Sequence, residues 1–176
     1  EMAIHNGLAE CLERDAFMTY YLTATALPVI DPETLPPRVY RLVDRITAHG
    51  LELTLLDATT DFGVPIVIAV LIDRTRRPAV TVAAAAGSTA TTVIESALSE
   101  VLQTRLSTIH RLSSITRSAD EIDPSEIDSF ADRALLWAAH DRLAELDFWI
   151  ESDRTTTFDA FAVDDQTDLV EAVTAA

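Results

Sequence analysis

The sequence predicts an α/β (α+β) domain: a mixed sheet flanked by helices, two of which carry carboxylates in a repeated, pseudo-symmetric pattern. Three observations predict it. Helical apolar spacing opens the chain and returns after residue 90. Between those two helices lie three β-rich stretches, LELTLLDAT, VPIVIAVLID and PAVTVAAAAG, set apart by turn residues. At 176 residues and 48% hydrophobic, the chain is long enough to bury one sizeable core.

Met2 to Tyr21 reads as the first helix, with Ile4, Leu8, Cys11 and Leu12 at helical spacing. TALPVIDPETLPP reads as a connection, because its four prolines forbid continuous regular structure. PPRVYRLVDRITAHG reads as a second helix, with Pro37 suited to its first turn and Gly50 to its C-terminal cap. LELTLLDAT alternates in part, and the unbroken apolar run of VPIVIAVLID fits a strand buried on both faces. Leu71 to Val80 reads as a hairpin turning at Arg76-Arg77-Pro78. Gly87 and Ser88 make a strand-to-helix turn, and Ser88 or Thr89 caps a long helix over about Ala90 to Leu112. Its apolar stripe is Ile94, Leu98, Val101, Leu102 and Ile109. SADEIDPSEIDS reads as an acidic loop, and a helix follows from about Ser125 to Leu146. DFWIES reads as a strand or helix end, and DDQTDLVEAVTAA as a final helix.

Charge narrows the function classes. The formal net charge is −16, and all 13 basic residues are arginines. Such a surface repels phosphate backbones, so a nucleic-acid partner is not expected. Arginine without lysine, beside abundant Asp and Thr, has two readings: a salt-rich cytoplasm, or a GC-rich genome that disfavours lysine codons. No apolar run reaches the roughly 18 residues of a membrane span. No secretory leader pattern is present, so a cytoplasmic location is expected. The single cysteine, Cys11, excludes an internal disulfide framework and a Cys-rich metal site.

The opening helix starts at Glu1 without Met and without an N-cap residue ahead of its periodic pattern. The chain is therefore expected to be a piece of a longer protein. Apolar surface left exposed on such a piece would favour a homo-oligomer.

Two stretches carry the chemistry, NGLAECLERDAF and SALSEVLQTRLS. Leu8, Glu10 and Leu12 recur as Leu98, Glu100 and Leu102, and Glu13 is echoed by Gln103. A spacing of three sets Glu10 with Glu13, and Glu100 with Gln103, on one helical face each. Side by side across a pseudo-twofold, the helices would converge four oxygen-bearing side chains. Mg²⁺ takes one or two carboxylates and completes its octahedron with phosphate oxygens and water, so this set would suit a metal-bound nucleotide. Arg14 and Arg105 follow the carboxylates and are candidates to meet phosphate. On their own, glutamates three apart are also what a solvated helix face carries.

These residues carry a resemblance. AIHNGLAECLERDAF, then LPVID, then LLDATTDFGVPIVIAVLID, and later ESALSEVLQTR resemble the YcaO family, in its azoline-forming branch that acts on ribosomal peptides. DRALLWA, Asp132 to Ala138, resembles a later family stretch in which His is usual where Arg133 stands. The resemblance covers residues 1 to about 150 and treats 1–176 as one domain fragment. It lacks an upstream Ser- and Gly-containing segment and a Pro-rich C-terminal part. It implies an ATP- and Mg²⁺-dependent enzyme that activates a peptide backbone amide. The product would be an azoline from Cys, Ser or Thr, or a thioamide. By motif match it places the Mg²⁺–ATP ligands at Glu10, Glu13, Glu100 and, as the Gln variant, Gln103, with Arg14 and Arg105 at phosphate. The partners it implies are a peptide or protein substrate and a protein that delivers it. Gln103, Arg133 and the missing flanks leave a rival from another class: a non-catalytic, YcaO-like subunit that binds peptide or scaffolds a partner.

The remaining polar candidates read as structural. His5 is a surface or core residue, His49 sits at a helix end, and His110 and His140 lack partners at zinc spacing. Cys11 reads as a core residue, and Trp137 and Trp149 as packing anchors. Asp57 and Asp61 flank a turn. AAAAGST lacks the lysine of a phosphate-binding loop.

Overall fold

In a computed structural model, the structure describes residues 2–114, 123, 127, 129–162 and 169–175. It is the mixed α/β architecture expected. Helix α1 spans Met2–Leu22 and α2 spans Pro37–Thr47. Strands β2 (Glu52–Asp57), β3 (Ile66–Ile72) and β4 (Val80–Ala86) follow, then α3 (Ala90–Leu112). The rest is short: α4 (Phe130–Leu136), a 3₁₀ segment His140–Leu146, α5 (Asp147–Ile150), α6 (Phe158–Phe161) and α7 (Leu169–Ala175). Two two-residue strands, β1 (Val29–Ile30) and β5 (Thr155–Thr156), complete a five-stranded sheet in the order β4-β3-β2-β1-β5.

The β2–β3–β4 ladder is antiparallel, with Glu52 opposite Ile72 and Ile72 opposite Val80, so the expected hairpin is present. β1 is antiparallel to β2 and parallel to β5. β3 is buried at every position, as its unbroken apolar run requires.

Strand alternation divides the core in two. Val67, Ala69 and Leu71 of β3, with Ala83 and Ala85 of β4, pack under α2 and α3 through Val39, Val43, Ile94, Leu98 and Val101. Ile66, Ile68 and Val70 of β3, with Val80 and Ala84 of β4, pack under α1 through Leu12 and Ala16, and against Trp149. The small side chains of β4 let both helices close over this outermost strand.

Several expectations need correction. The Pro-rich connection contains β1, because Val29 N–H donates to the Arg154 carbonyl (2.8 Å) and Asp31 N–H to that of Thr156 (2.9 Å). The helix expected over Ser125 to Leu146 is α4 followed by a 3₁₀ segment; residues 124–126 and 128, like much of the acidic loop, lie outside the described residues. Cys11 is exposed, and Ile4 is 60% exposed. The buried face of α1 is Leu12 and Ala16, with Phe17 and Tyr21 beside it. Ile109 is 41% exposed rather than part of the α3 stripe. Gly50 ends the second helical stretch at φ 77°, a conformation that suits glycine.

Candidate functional site

The two carboxylate helices lie on opposite faces of the sheet rather than side by side on one, and both overhang its open edge at β4. Across that edge Glu13 of α1 comes within electrostatic reach of Glu100 of α3. Glu13 is half-buried, and its pKa is raised from 4.5 to about 7. Desolvation is the largest cause, then the charge of Glu100; Arg14 opposes the shift and Glu10 adds to it. The pair therefore holds more negative charge than its surroundings neutralise.

The other candidates divide. Glu10 is exposed and bonded to Arg14 one turn on, with Arg14 Nε and Nη2 donating to its Oε1 at 3.0 and 2.8 Å. Gln103 donates from Nε2 to Ser99 Oγ (3.0 Å), which leaves its side-chain oxygen without a partner among the described residues. Gln103 and Glu100 line a solvent-open hollow of about 680 Å³ with Ser96, Ser99, Thr104 and Ser107. That polar stripe was legible in the sequence: Ser96, Ser99, Gln103 and Ser107 repeat at helical spacing beside Glu100.

Arg105 does not join this set. It is buried, and Nη2 donates to Asp73 Oδ2 (2.7 Å) while Nη1 donates to the Pro78 carbonyl (3.0 Å). Its position explains why: it continues the buried stripe of Ala97 and Val101 in steps of four. Asp73 is itself fully buried. Burial alone would raise its pKa, but the Thr75 and Arg76 backbone N–H groups, the Thr75 hydroxyl and the Arg76 charge bring it down to about 2. The expectation that Arg105 meets phosphate is thus replaced by a role in locking α3 to the β3–β4 turn.

A second hollow of about 650 Å³ continues from the first through Thr104 and Ser107. Phe17 and Tyr21 line it from α1, Arg111 from α3, and Trp137 and Trp149 from the segments after α4 begins. Trp149 is fully buried against Phe17 and Tyr21 with ring centroids 5.7 and 6.0 Å apart, the anchor expected of it. His140 Nε2 pairs with the Asp73 carbonyl oxygen (2.9 Å), which is structural, and Asp57 Oδ1 accepts from Thr59 N–H (3.0 Å) within its turn.

Among the described residues no group of three or more His, Cys, Asp or Glu is gathered to hold a metal ion. Two under-neutralised carboxylates nevertheless fit Mg²⁺, which is usually held by one or two carboxylates and takes its other ligands from phosphates and water. The residues present therefore fit a magnesium nucleotide better than a free metal. No helix among the described residues is long and apolar enough to cross a membrane.

Comparison with known proteins gives the family and the fold. The family described as YcaO cyclodehydratase, ATP- and Mg²⁺-binding, matches residues 1–176. An uncharacterised protein in the tfuA 3′ region of Rhizobium leguminosarum bv. trifolii is 40% identical over 74 residues, 40% of this chain and 18% of the relative. A heterocyclase in complex with substrate and cofactor shares the fold at TM-score 0.70 and 21% identity, over 97% of this chain and 22% of the other. The E. coli microcin synthetase McbBCD complex with pro-MccB17 bound does so at TM-score 0.71 and 15% identity, over 98% and 44%. The chain spans less than half the length of each of these relatives.

Proposed function

Because the chain belongs to the YcaO family, we propose that it carries the Mg²⁺–ATP carboxylates of an enzyme that activates peptide backbone amides. Its product would be an azoline formed by cyclodehydration of Cys, Ser or Thr, or a thioamide. The observation that carries this reading is the meeting of Glu13 and Glu100 across the β4 edge, with Glu13 shifted to about 7. A divalent cation held by them would offset the desolvation of Glu13 and the charge of Glu100, which together raise that pKa.

Glu13 and Glu100 are the metal ligands in this reading, and the free side-chain oxygen of Gln103 is a third, neutral one. Glu10 orients Arg14, which faces phosphate from the rim. The serine and threonine hydroxyls of α3 hydrogen-bond the nucleotide. When bound, Mg²⁺–ATP supplies the phosphoryl group that turns the amide oxygen into a leaving group, with its charge neutralised by the metal. The substrate is a ribosomally made peptide or a protein amide, delivered by a partner protein, in the cytoplasm where ATP is available.

A second reading has its own support. Gln103 replaces a carboxylate and Arg105 is withdrawn from the seam, which also suits a non-catalytic, peptide-binding or scaffold subunit. Calorimetric titration of Mg²⁺–ATP at high salt separates the two. Saturable binding that Glu100→Gln or Glu13→Gln weakens at least tenfold, with unchanged circular dichroism, supports the enzyme. No binding by the folded parent moves the assignment to the scaffold.

A further inference from the structure

Among the described residues, the outer edge of β4 is paired only at its start. The bonds from Asp73 N–H to the Ala79 carbonyl and from Gly87 N–H to the Pro65 carbonyl fix which residues of β4 face β3. They are the odd-numbered ones, so Val82 and Ala84 turn their N–H and C=O groups toward the open edge. The chain already uses the start of this edge: Ala79 N–H donates to the Ala138 carbonyl (3.1 Å) and Val80 N–H to that of Trp137 (3.4 Å). Beyond those two bonds the edge runs on beside the hollow between α1 and α3, which shares Thr104 and Ser107 with the hollow lined by Glu100.

Two buried polar side chains line that hollow without a hydrogen-bond partner among the described residues: Thr81 Oγ1 and the Trp149 indole N–H. They lie on opposite sides of the strand, Thr81 on the α3 side and Trp149 on the α1 side. Buried polar groups are normally paired, and here both flank the same open strand. Arg111 lines the far end, a positive group on a chain of net charge −16.

We propose that an extended peptide adds to β4 at Val82 and Ala84 as a further strand. This deepens, and rests on, the amide-activation reading: strand addition presents the target backbone beside the carboxylate pair. An edge strand is a template for such pairing, in which main-chain bonds give affinity and the alternate side chains give selectivity. The peptide's side chains would meet Phe17 and Tyr21 on one face and the hydroxyls of Thr81 and Thr104 on the other. An acidic residue at the far end would pair with Arg111.

The test is amide hydrogen exchange of the whole chain with a set of acetylated octapeptides that alternate Val and Thr and end in Asp, at millimolar concentration. Matched peptides carry N-methyl groups at alternate residues. Exchange at Val82 and Ala84 should slow at least fivefold with the parent peptides and not with the N-methylated ones. Val82→Pro should abolish the protection, since it removes an outward N–H that an edge strand can lose without breaking its ladder. Binding that leaves Val82 and Ala84 unprotected, equal effect of the N-methylated set, or no protection by any member overturns the proposal. So does protection already present in a dimer without peptide. A parallel Mg²⁺–ATP titration separates the two readings: nucleotide binding without peptide protection sinks strand addition alone, and peptide protection without nucleotide binding sinks the ATP reading alone.

Discussion

Glu13 differs from its neighbours by where α1 lies, not by residue type. Glu10 and Glu13 are equivalent in the sequence, three apart among apolar residues, and the spacing alone could not rank them. The fold does so by half-burying Glu13 next to Leu12 and opposite Glu100, while Glu10 faces solvent. The consequence is a pH dependence of definite sign. The folded pKa of Glu13 lies above its ordinary 4.5, so between about 4.5 and 7 the folded state holds a proton that the unfolded state has lost. This group therefore makes the fold less stable as pH rises through that window. After allowance for solvent screening the effect is about 1 kcal/mol. Urea denaturation without metal should show stability falling between pH 4.5 and 7. Glu13→Gln should flatten that fall and raise stability at pH 8, and ~5 mM Mg²⁺ with ATP should do the same for the parent by mass action. A parent whose stability is flat or rises with pH across this window would show that Glu13 is not under strain.

At the scale of elements, the long segments were legible because each carries its period in its own residues. The unbroken run of β3, the Pro37 start of α2 and the stripe of α3 are local properties. β1 and β5 were not legible, because each is two residues long and exists through pairing across more than 120 residues of chain. Arg105 was partly legible: its place on the Ala97–Val101 stripe predicts burial, but the buried carboxylate that pairs it lies on another element. That pair ties α3 to the β3–β4 turn. Asp73→Asn leaves the Arg105 charge buried without its counterion and should cost about 3 kcal/mol, read as a shift of the urea midpoint at pH 7. The double variant Asp73→Asn/Arg105→Met should recover part of that loss, since Asn Oδ1 still accepts from the Thr75 and Arg76 N–H groups and no charge is left buried. It should also bind Mg²⁺–ATP like the parent. If it folds and loses nucleotide, Arg105 returns to the phosphate site.

For the whole molecule, the class was legible and the assembly of the site was not. Periodicity says which side of its own element a residue occupies, but not which face of the sheet a helix covers. The meeting of α1 and α3 past the β4 edge therefore had to come from the fold. The same placement leaves apolar surface where these helices face outward: among the described residues, five of the seven large exposed hydrophobic ones, Leu22 and Leu106 included, belong to α1 and α3. Two forces then compete between copies of the chain. The net charge of −16 drives them apart while it is unscreened, over about 10 Å at 0.1 M salt and about 3 Å at 1 M. Apolar contact draws them together and strengthens with excluded salts such as sulfate. Self-association should therefore be weak at low ionic strength and grow with salt. Sedimentation equilibrium across that range tests it, with Leu22→Glu/Leu106→Glu as the control that should stay monomeric throughout. Association that instead weakens as salt rises would mean that ion pairs hold the copies together. A monomer at every salt concentration would leave these faces to a partner of different sequence, such as the substrate-delivering protein.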